Sequence, residues 1–243
     1  MGSWPSTRVQ QPELMDDPAL PEADHLCALD ALCSINFISR TSSQLAAASA
    51  RLATASGRSA KAGDLLKIVD VACGGGDVTL DVARRLARVG FTVEMLGLDK
   101  SSRAIARARR GLPARVGAQV VFEEVDVLAS HTPSCDIAIS SLFLHHLEDG
   151  AVCRLLQSLT SAARIGIAVS DLVRSRRGLL LARLGTWGLS RSHVARIDGP
   201  ISVRAARIPE EYRQLLVRAG ISNATVRSTW PARVLIEWAK DRA

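Results

Sequence analysis

Residues 67–77 read Lys-Ile-Val-Asp-Val-Ala-Cys-Gly-Gly-Gly-Asp, an apolar run that ends in a glycine-rich turn. A short buried strand, such a turn and then a helical pattern from Val78 are typical of the first crossover of a parallel sheet. Glycines here let the backbone approach a ligand closely, and the N–H groups of the next helix point at it. The segment therefore predicts an α/β fold with a nucleotide-like ligand at its first turn.

The glycine-rich turn departs from both common phosphate-binding loops. A dinucleotide fingerprint counted from Gly74 requires glycine at position 79, which is Thr79, and a Walker A loop requires a lysine that this turn lacks. An acid, Asp70, is instead followed by small residues at positions 72, 74 and 76.

Strand and helix patterns alternate outward from this turn and predict crossover connections. Strands are expected near 66–72, 92–98, 119–125, 135–140 and 164–170, and helices near 77–89, 101–111 and 149–162. Beyond Asp171 the pattern is irregular, with helices predicted over 174–189 and 209–219 and strands over 222–229 and 233–238. Only Trp230-Pro231-Ala232 separates the last two strands, which indicates an antiparallel pair. The predicted fold class is α/β, a doubly wound seven-stranded sheet with five parallel core strands and a C-terminal antiparallel hairpin.

Composition narrows the class of protein. The chain has 243 residues and a net charge of +7, with 17 basic and 18 acidic side chains in residues 1–170 but 14 and 6 in residues 171–243. It shows neither a signal-peptide core nor an apolar run of membrane-spanning length, so a cytoplasmic location is expected. Its five cysteines lack zinc-ligand spacing, so no metal site is predicted.

Four motifs in order resemble those of class I S-adenosylmethionine-dependent methyltransferases. The turn at 70–76 resembles the first motif, with Ala72 in place of the usual first glycine. Acids end the second and third predicted strands, at Asp99 and Asp126, and residues 135–147 are similar to the family's fourth strand and following loop. The resemblance covers roughly residues 64–240 and implies a Rossmann-like methyltransferase fold that binds S-adenosylmethionine.

The resemblance also implies roles for individual residues. Asp70 would orient the turn and approach the methionyl ammonium group, and Asp99 would accept both ribose hydroxyls. The adenine amino group would donate to Asp126, and Val127 would supply a backbone N–H. The remaining cofactor-binding candidates are backbone or neighbouring positions, namely Ala72, Cys73, Gly74, Gly76, Lys100, Ser141 and Leu142.

The loop after the fourth strand carries the catalytic candidates. His145 and His146 are the best general bases there, and His193 is a third. The loop resembles that of the ubiquinone and menaquinone biosynthesis methyltransferases rather than base-modifying enzymes, because Ser140-Ser141-Leu142-Phe143 replaces an Asn/Asp-Pro-Pro-aromatic run. This implies methylation, of oxygen rather than carbon, on a lipophilic phenol, quinone or polyketide-type small molecule.

The sequence also predicts how the chain divides into domains and what it binds. Residues 1–62 are predicted as a helical extension or lid, with helices over Pro21 to Ile38 and from a Thr41–Gln44 capping box to Ala55, ahead of a 63–243 methyltransferase domain. Residues 172–208 are predicted to insert on the acceptor side, and their apolar run could touch a membrane. The protein is expected to be a monomer or homodimer. A nucleic-acid-directed or non-catalytic protein that uses the basic C-terminal third is the alternative, although nine aromatic residues offer little base stacking.

Overall fold

The computed structural model describes residues 7–113 and 117–241. One mixed sheet of seven strands forms its centre, in the order β3-β2-β1-β4-β5-β7-β6. The strands are β1 Leu65–Val71, β2 Thr92–Asp99, β3 Gln119–Glu124, β4 Cys135–Ser141, β5 Ala163–Leu172, β6 Thr225–Thr229 and β7 Arg233–Ala239. β1 to β5 are parallel, and β7 is antiparallel to both β5 and β6. The predicted fold class is confirmed.

Helices cover both faces of the sheet. They are α1 Glu22–Ile38, α2 Thr41–Ala55, α3 Asp77–Val89, α4 Ser102–Arg110, α5 Asp149–Ala162, α6 Arg176–Leu189, α7 His193–Ala205 and α8 Pro209–Arg218, with 3-10 turns at Leu14–Asp16 and Leu144–His146. α2 and α3 bury apolar side chains such as Leu45 and Leu86 against one face, and α5 and α8 bury Leu156 and Leu215 against the other. No helix of the described ranges is long and apolar enough to cross a membrane.

The strand order reverses at β1, which pairs with β2 on one side and β4 on the other. In an open parallel sheet this reversal opens a crevice beyond the carboxyl ends of the two strands, which is where ligands bind. The glycine-rich turn follows β1 and the histidine loop follows β4, so the topology brings the two predicted sites to one crevice.

α7 is the element that the sequence pattern missed. Gly199-Pro200 is an unfavourable pair inside a helix, yet α7 continues through Pro200. Its packing accounts for the difference: Val194 and Val203 are buried, and α6 approaches so closely that a Cβ on Gly199 would lie 2.9 Å from the Thr186 Cγ2 atom. Tertiary contacts therefore outweigh the local helix-breaking preference.

The predicted capping box before α2 is wrong. Arg40 is the N-cap residue, in the left-handed region with φ 54°, and its side chain makes no capping hydrogen bond. The hydroxyl of Thr41 instead pairs with that of Ser39 at 2.9 Å, and the Gln44 amide donates to the carbonyl oxygens of Ser39 and Trp230. These side chains thus tie α2 to the end of α1 and to the C-terminal hairpin.

α2 also bears on the predicted domain boundary. Its Leu45 and Leu52 belong to the same core as strands β1 and β2, so this helix is part of the layer that covers the sheet. The division of the chain at residues 62 and 63 remains a prediction, and residues 1–6 of the predicted extension lie outside the described ranges.

Three of the 14 basic residues after position 170 lie inside the fold. Arg174 forms two hydrogen bonds with Glu211, and Arg207 pairs with Asp149 and donates to the carbonyl oxygens of residues 144 and 147. Arg233 is also buried, and burial lowers its pKa to about 10. These three arginines position the loop, α8 and the hairpin, so the charge count overstates the basic surface.

Candidate functional site

A cavity of about 1150 Å³ lies at the carboxyl ends of the parallel strands. Its volume slightly exceeds the range of roughly 300–1,000 Å³ that is usual for a single small-molecule site. The turns that follow β1, β2 and β3 line one end, the histidine loop, α6 and α7 line the other, and α1 contributes to both. The cavity therefore has room for two ligands side by side.

The turn after β1 brings its backbone to the cavity wall. Ala72, Cys73 and Gly74 line the cavity, with positive φ values of 58° at Ala72 and 54° at Gly74. A Cβ on Gly74 would meet no atom within 4 Å, so a ligand has open space over this residue. Gly76 lies behind the wall, where a Cβ would come within 2.6 Å of the Phe122 ring. Gly76 thus serves packing, and the residues before it present the surface.

Asp70 does not line the cavity. Its carboxylate is fully buried beneath the turn, where Oδ2 accepts a 2.6 Å hydrogen bond from the Thr79 hydroxyl, and Oδ1 has no partner among the described residues. Burial raises the pKa of Asp70 to about 7. The orienting role of Asp70 stays a prediction, and its buried position does not match the predicted approach to a methionyl ammonium group.

Asp77, directly after the glycine-rich turn, is a carboxylate that reaches the cavity, although the sequence pattern predicts no site role for it. It opens α3, and one carboxylate oxygen accepts a hydrogen bond from the Asn36 amide of α1 at 3.1 Å. Burial raises the pKa of Asp77. Its place directly after the glycines was the only sequence signal.

The buried Asp70 gives a pH-dependent stability. Because its pKa is higher in the folded protein than the ordinary 3.8, the folded state binds more protons, and stability falls as pH rises from about 4 to 7. Asp70→Asn keeps an acceptor for Thr79 and removes this titration. We expect the unfolding free energy of the variant relative to wild type to rise by up to about 1.4 kcal/mol per pH unit across that window. Denaturant unfolding at pH 5, 6 and 7 measures the difference, and a constant difference would contradict the assignment.

The acids after β2 and β3 lie at the same end of the cavity. Asp99 accepts backbone hydrogen bonds from Gly74 and Ser101, both 2.8 Å, through its two carboxylate oxygens. Asp126 is exposed and accepts from the N–H of Leu128 at 2.9 Å. Lys100 and Val127 also line this end. The structure thus brings together candidates that the sequence placed at the ends of three separate strands, β1, β2 and β3.

Residues at the end of β4 connect the two halves of the cavity. Ser141 and Leu142 line it, and Leu142 has a positive φ of 55°. The N–H of Leu142 donates to the Ser170 carbonyl oxygen of β5 at 2.9 Å, which fixes this turn against the sheet. The 3-10 turn that carries both histidines follows directly.

His145 forms a buried pair with Asp171, at the end of β5. Its Nδ1 lies 2.6 Å from Asp171 Oδ1, and its backbone N–H donates to Oδ2 at 2.9 Å. Burial raises the pKa of Asp171, but the charge and hydrogen bond of His145, the hydrogen bond from the Leu172 N–H and the charge of His146 together outweigh burial, so the pKa is lowered. An ionised Asp171 requires the proton on Nδ1, which leaves Nε2 of a neutral ring as a proton acceptor.

His146 has a different environment. Its Nδ1 lies 3.4 Å from Asp16 Oδ2 and 3.9 Å from Glu13 Oε1. Burial lowers the pKa of His146, but these carboxylates outweigh it, and the pKa is raised. Because these carboxylates favour its protonated form, His146 is a weaker candidate for the base than His145. The third candidate, His193, is exposed at the start of α7 and does not line the cavity, so its predicted place in the site is wrong.

A segment near the N-terminus, residues 8–17, closes this end of the cavity. The Arg8 guanidinium donates to the carbonyl oxygens of His145 and Leu147, and the Asp198 carboxylate of α7 accepts from the N–H groups of Leu14 and Met15. These bonds carry Glu13 and Asp16 to the histidines. No local sequence signal marked this segment, because its partners lie more than 130 residues away.

Glu13, His145 and His146 are the group of potential metal ligands found within the described ranges, with ligand atoms no more than 4.8 Å apart. Asp171 already holds His145 Nδ1, and Asp16 lies beside His146 Nδ1. We therefore interpret the group as a site for proton chemistry. The absence of a metal stays a prediction.

Apolar walls surround the histidine end of the cavity. They come from α1, α6, α7 and the C-terminal hairpin turn, and include Leu29, Leu32, Ile35, Leu181, Leu184, Val203 and Trp230. Such walls suit an apolar ligand beside a small number of polar groups.

Comparison with known proteins agrees with this geometry. Residues 68–166 match a family model described as a methyltransferase domain. A comparison of the sequence with curated proteins finds no match. Solved structures with a similar fold include the plantazolicin methyltransferase BpumL in complex with SAH, at 15% identity and a TM-score of 0.64, covering 91% of this chain and 96% of that one.

Two further solved structures have the same fold. Magnesium protoporphyrin IX methyltransferase from Synechocystis PCC 6803 with bound SAH has 20% identity and a TM-score of 0.53, covering 84% of this chain and 83% of that one. Human N-acetylserotonin methyltransferase in complex with SAM has 20% identity and a TM-score of 0.53, covering 73% of this chain and 48% of that one. Residues 68–166 are therefore similar to a methyltransferase domain, and the seven-stranded sheet has the Rossmann-like fold of these solved methyltransferases.

Proposed function

We propose that this protein is an S-adenosylmethionine-dependent methyltransferase that methylates a hydroxyl group of a lipophilic small molecule, such as a phenol, quinone or polyketide. One observation carries the proposal: a single cavity joins the turns after β1, β2 and β3 to the His145–Asp171 pair, between apolar walls. The solved structures of similar fold support it by their names, which include small-molecule methyltransferases.

The residues at the first end of the cavity fit the cofactor. The open space over Gly74 admits a ligand against the backbone, and each Asp99 oxygen keeps acceptor capacity beyond its one backbone bond. Asp99 would hold the ribose hydroxyls, Asp126 the adenine amino group and Asp77 the methionyl ammonium group. When bound, the cofactor supplies an electrophilic methyl group on a sulfonium centre.

His145 would act on the acceptor at the other end. Its Nε2 would take the hydroxyl proton as the acceptor oxygen attacks the methyl carbon in line. The O–C bond would form as the C–S bond breaks, so that the proton ends on the imidazole, the product carries the methyl group and S-adenosylhomocysteine leaves. The ionised Asp171 would stabilise the imidazolium that forms, and the two hydrogen bonds between Asp171 and His145 hold the loop in place. The apolar walls would orient the acceptor and exclude water.

The nucleic-acid alternative has less support. Arg174, Arg207 and Arg233 are buried, and the segment at residues 8–17 narrows the histidine end of the cavity. A polymer that is read at a base would need this end to open. For these reasons we propose a small-molecule acceptor rather than a nucleic acid. On that acceptor, methylation of carbon is less favoured than methylation of oxygen.

Methyl-labelled cofactor tests the proposal directly. We expect label transfer to members of a panel of phenols and quinones, and none to RNA under the same conditions. Transfer to RNA alone would contradict the proposal and favour the alternative. Acid treatment separates the chemistries afterwards, because O-methyl and C-methyl products differ in their cleavage by strong acid.

A further inference from the structure

The outer face of α6 combines exposed apolar side chains with arginines. At 100° per residue, positions 176, 177, 180, 183, 184 and 187 fall within about 120° of the helix circumference. Leu180, Leu184 and Trp187 on this face are 57%, 62% and 69% exposed. The opposite side is packed, with Gly178 and Thr186 buried. Large apolar side chains grouped on one helix face mark a contact surface rather than scattered exposure.

The charge on this face has a single sign. α6 contains Arg176, Arg177 and Arg183 and no acidic residue. All three arginines are exposed, and none forms an ion pair that the described part of the chain shows. Arg196 of α7 adds a further cation, stacked 4.8 Å from the centre of the Trp187 ring. Leucine and tryptophan flanked by arginine are characteristic of helices that lie in the interface of an anionic membrane.

The apolar surface continues across the mouth of the cavity. Phe37 and Ile38, at the end of α1, are 79% and 47% exposed, and Trp230 is 61% exposed. Ile38, Leu184 and Trp230 also line the cavity, so the same side chains belong to the outer surface and to the acceptor end. We call this surface the mouth face, defined as Phe37, Ile38, Arg176, Arg177, Leu180, Arg183, Leu184, Trp187 and Trp230.

We propose that the mouth face docks on a bilayer that contains anionic lipid, with the cavity opening toward the acyl region. The arginines match anionic headgroups in sign, and the apolar side chains reach the depth at which tryptophan and leucine are stable. A second copy of the chain is a poorer occupant, because a two-fold contact on this face would set its arginines against each other. The delivery of a lipophilic acceptor from the bilayer rests on the proposed function, whereas docking itself does not.

Vesicle sedimentation tests the docking. We expect the protein to bind vesicles of phosphatidylcholine with 30% phosphatidylglycerol, to bind pure phosphatidylcholine at least 10-fold more weakly, and to be released at 0.5 M salt. Leu180→Gln/Trp187→Gln, at positions that do not line the cavity, should lower binding at least 10-fold, and Arg176→Gln/Arg183→Gln should remove the preference for anionic lipid. Val89→Gln/Val217→Gln is the matched control, since these valines are 60% and 70% exposed elsewhere, and it should bind as wild type does.

Three results would overturn the docking: no vesicle binding, equal binding to both vesicle types, or an equal loss of vesicle binding in Leu180→Gln/Trp187→Gln and in the control Val89→Gln/Val217→Gln. A dimer in sedimentation velocity that Leu180→Gln/Trp187→Gln disrupts, without vesicle binding, would assign the face to a second copy instead. Methylation assays separate this proposal from the proposed function. Leu180→Gln/Trp187→Gln should methylate a water-soluble acceptor at the wild-type rate and a vesicle-embedded acceptor at least 10-fold more slowly. Normal docking without methylation of any acceptor would overturn the proposed function and leave the docking intact.

Discussion

His145→Gln is expected to lower kcat by about 10²- to 10⁴-fold, the range that a positioned general base contributes. The variant keeps an amide that can donate to Asp171 but has no group that accepts a proton at neutral pH. Cofactor affinity should change little, because His145 lies at the acceptor end of the cavity. Steady-state kinetics with saturating acceptor gives kcat, and calorimetry gives the cofactor dissociation constant.

Asp171→Asn tests the same pair from its other side. An asparagine leaves a neutral amide beside Nδ1, so it no longer stabilises the imidazolium, and kcat should fall at least about 10-fold, the equivalent of losing one charge-assisted hydrogen bond. His193→Gln is the matched control, because His193 is exposed and outside the cavity. The account is wrong about the base if His145→Gln and His193→Gln have the same kcat within about threefold, a spread that ordinary surface substitutions produce.

Asp99→Ala is expected to weaken cofactor binding by about 100-fold or more. The change would remove two hydrogen bonds that the ribose hydroxyls are proposed to donate to the carboxylate, each worth about 1.5–3 kcal/mol. It also frees the N–H groups of Gly74 and Ser101, which donate to Asp99. Asp99→Asn keeps the shape of the side chain and one acceptor oxygen, so its loss should be intermediate. Calorimetric titration with S-adenosylhomocysteine measures both.

Asp64→Ala controls for the loss of a carboxylate that braces a turn. Asp64 accepts a backbone hydrogen bond from Ser59 at 2.8 Å, as Asp99 does from its neighbours, but it precedes β1 at the opposite edge of the sheet. The cofactor affinity of Asp64→Ala should equal that of wild type. If a folded Asp99→Ala protein binds as tightly as Asp64→Ala does, Asp99 does not contact the cofactor.

The sequence predicted the elements whose patterns are local. β1 to β5 alternate with helices of clear apolar period, and the seven strands lie within a few residues of their predicted positions. The sequence predicted no helix over α7, whose Gly199-Pro200 pair is unfavourable inside a helix. The burial of Val194 and Val203 and the close packing of Gly199 on Thr186 of α6 stabilise it. The Thr41–Gln44 pattern failed for the opposite reason, since its side chains found partners in other elements.

The site was predictable where its residues follow strands in order. Asp99 and Asp126 end parallel neighbours, so their meeting at one edge follows from topology. The pairing of His145 with Asp171 could not be predicted in this way. Asp171 lies 26 residues away on β5, and its position at a strand end does not distinguish it from other acids at strand ends. Glu13 and Asp16 reach the histidines only through the fold of the N-terminal segment. Burial, which separates the roles of Asp70 and Asp77, is likewise a property of the packed molecule.

We propose that one cavity holds the cofactor at the turns after β1, β2 and β3 and leaves the His145 end for the acceptor. A crystal structure of the protein with S-adenosylhomocysteine tests it most directly. We expect the ribose at Asp99, the adenine at Asp126, the ammonium group at Asp77 and the thioether sulfur facing the space beside His145. A ligand bound elsewhere, or one whose sulfur faces away from His145, would contradict the account.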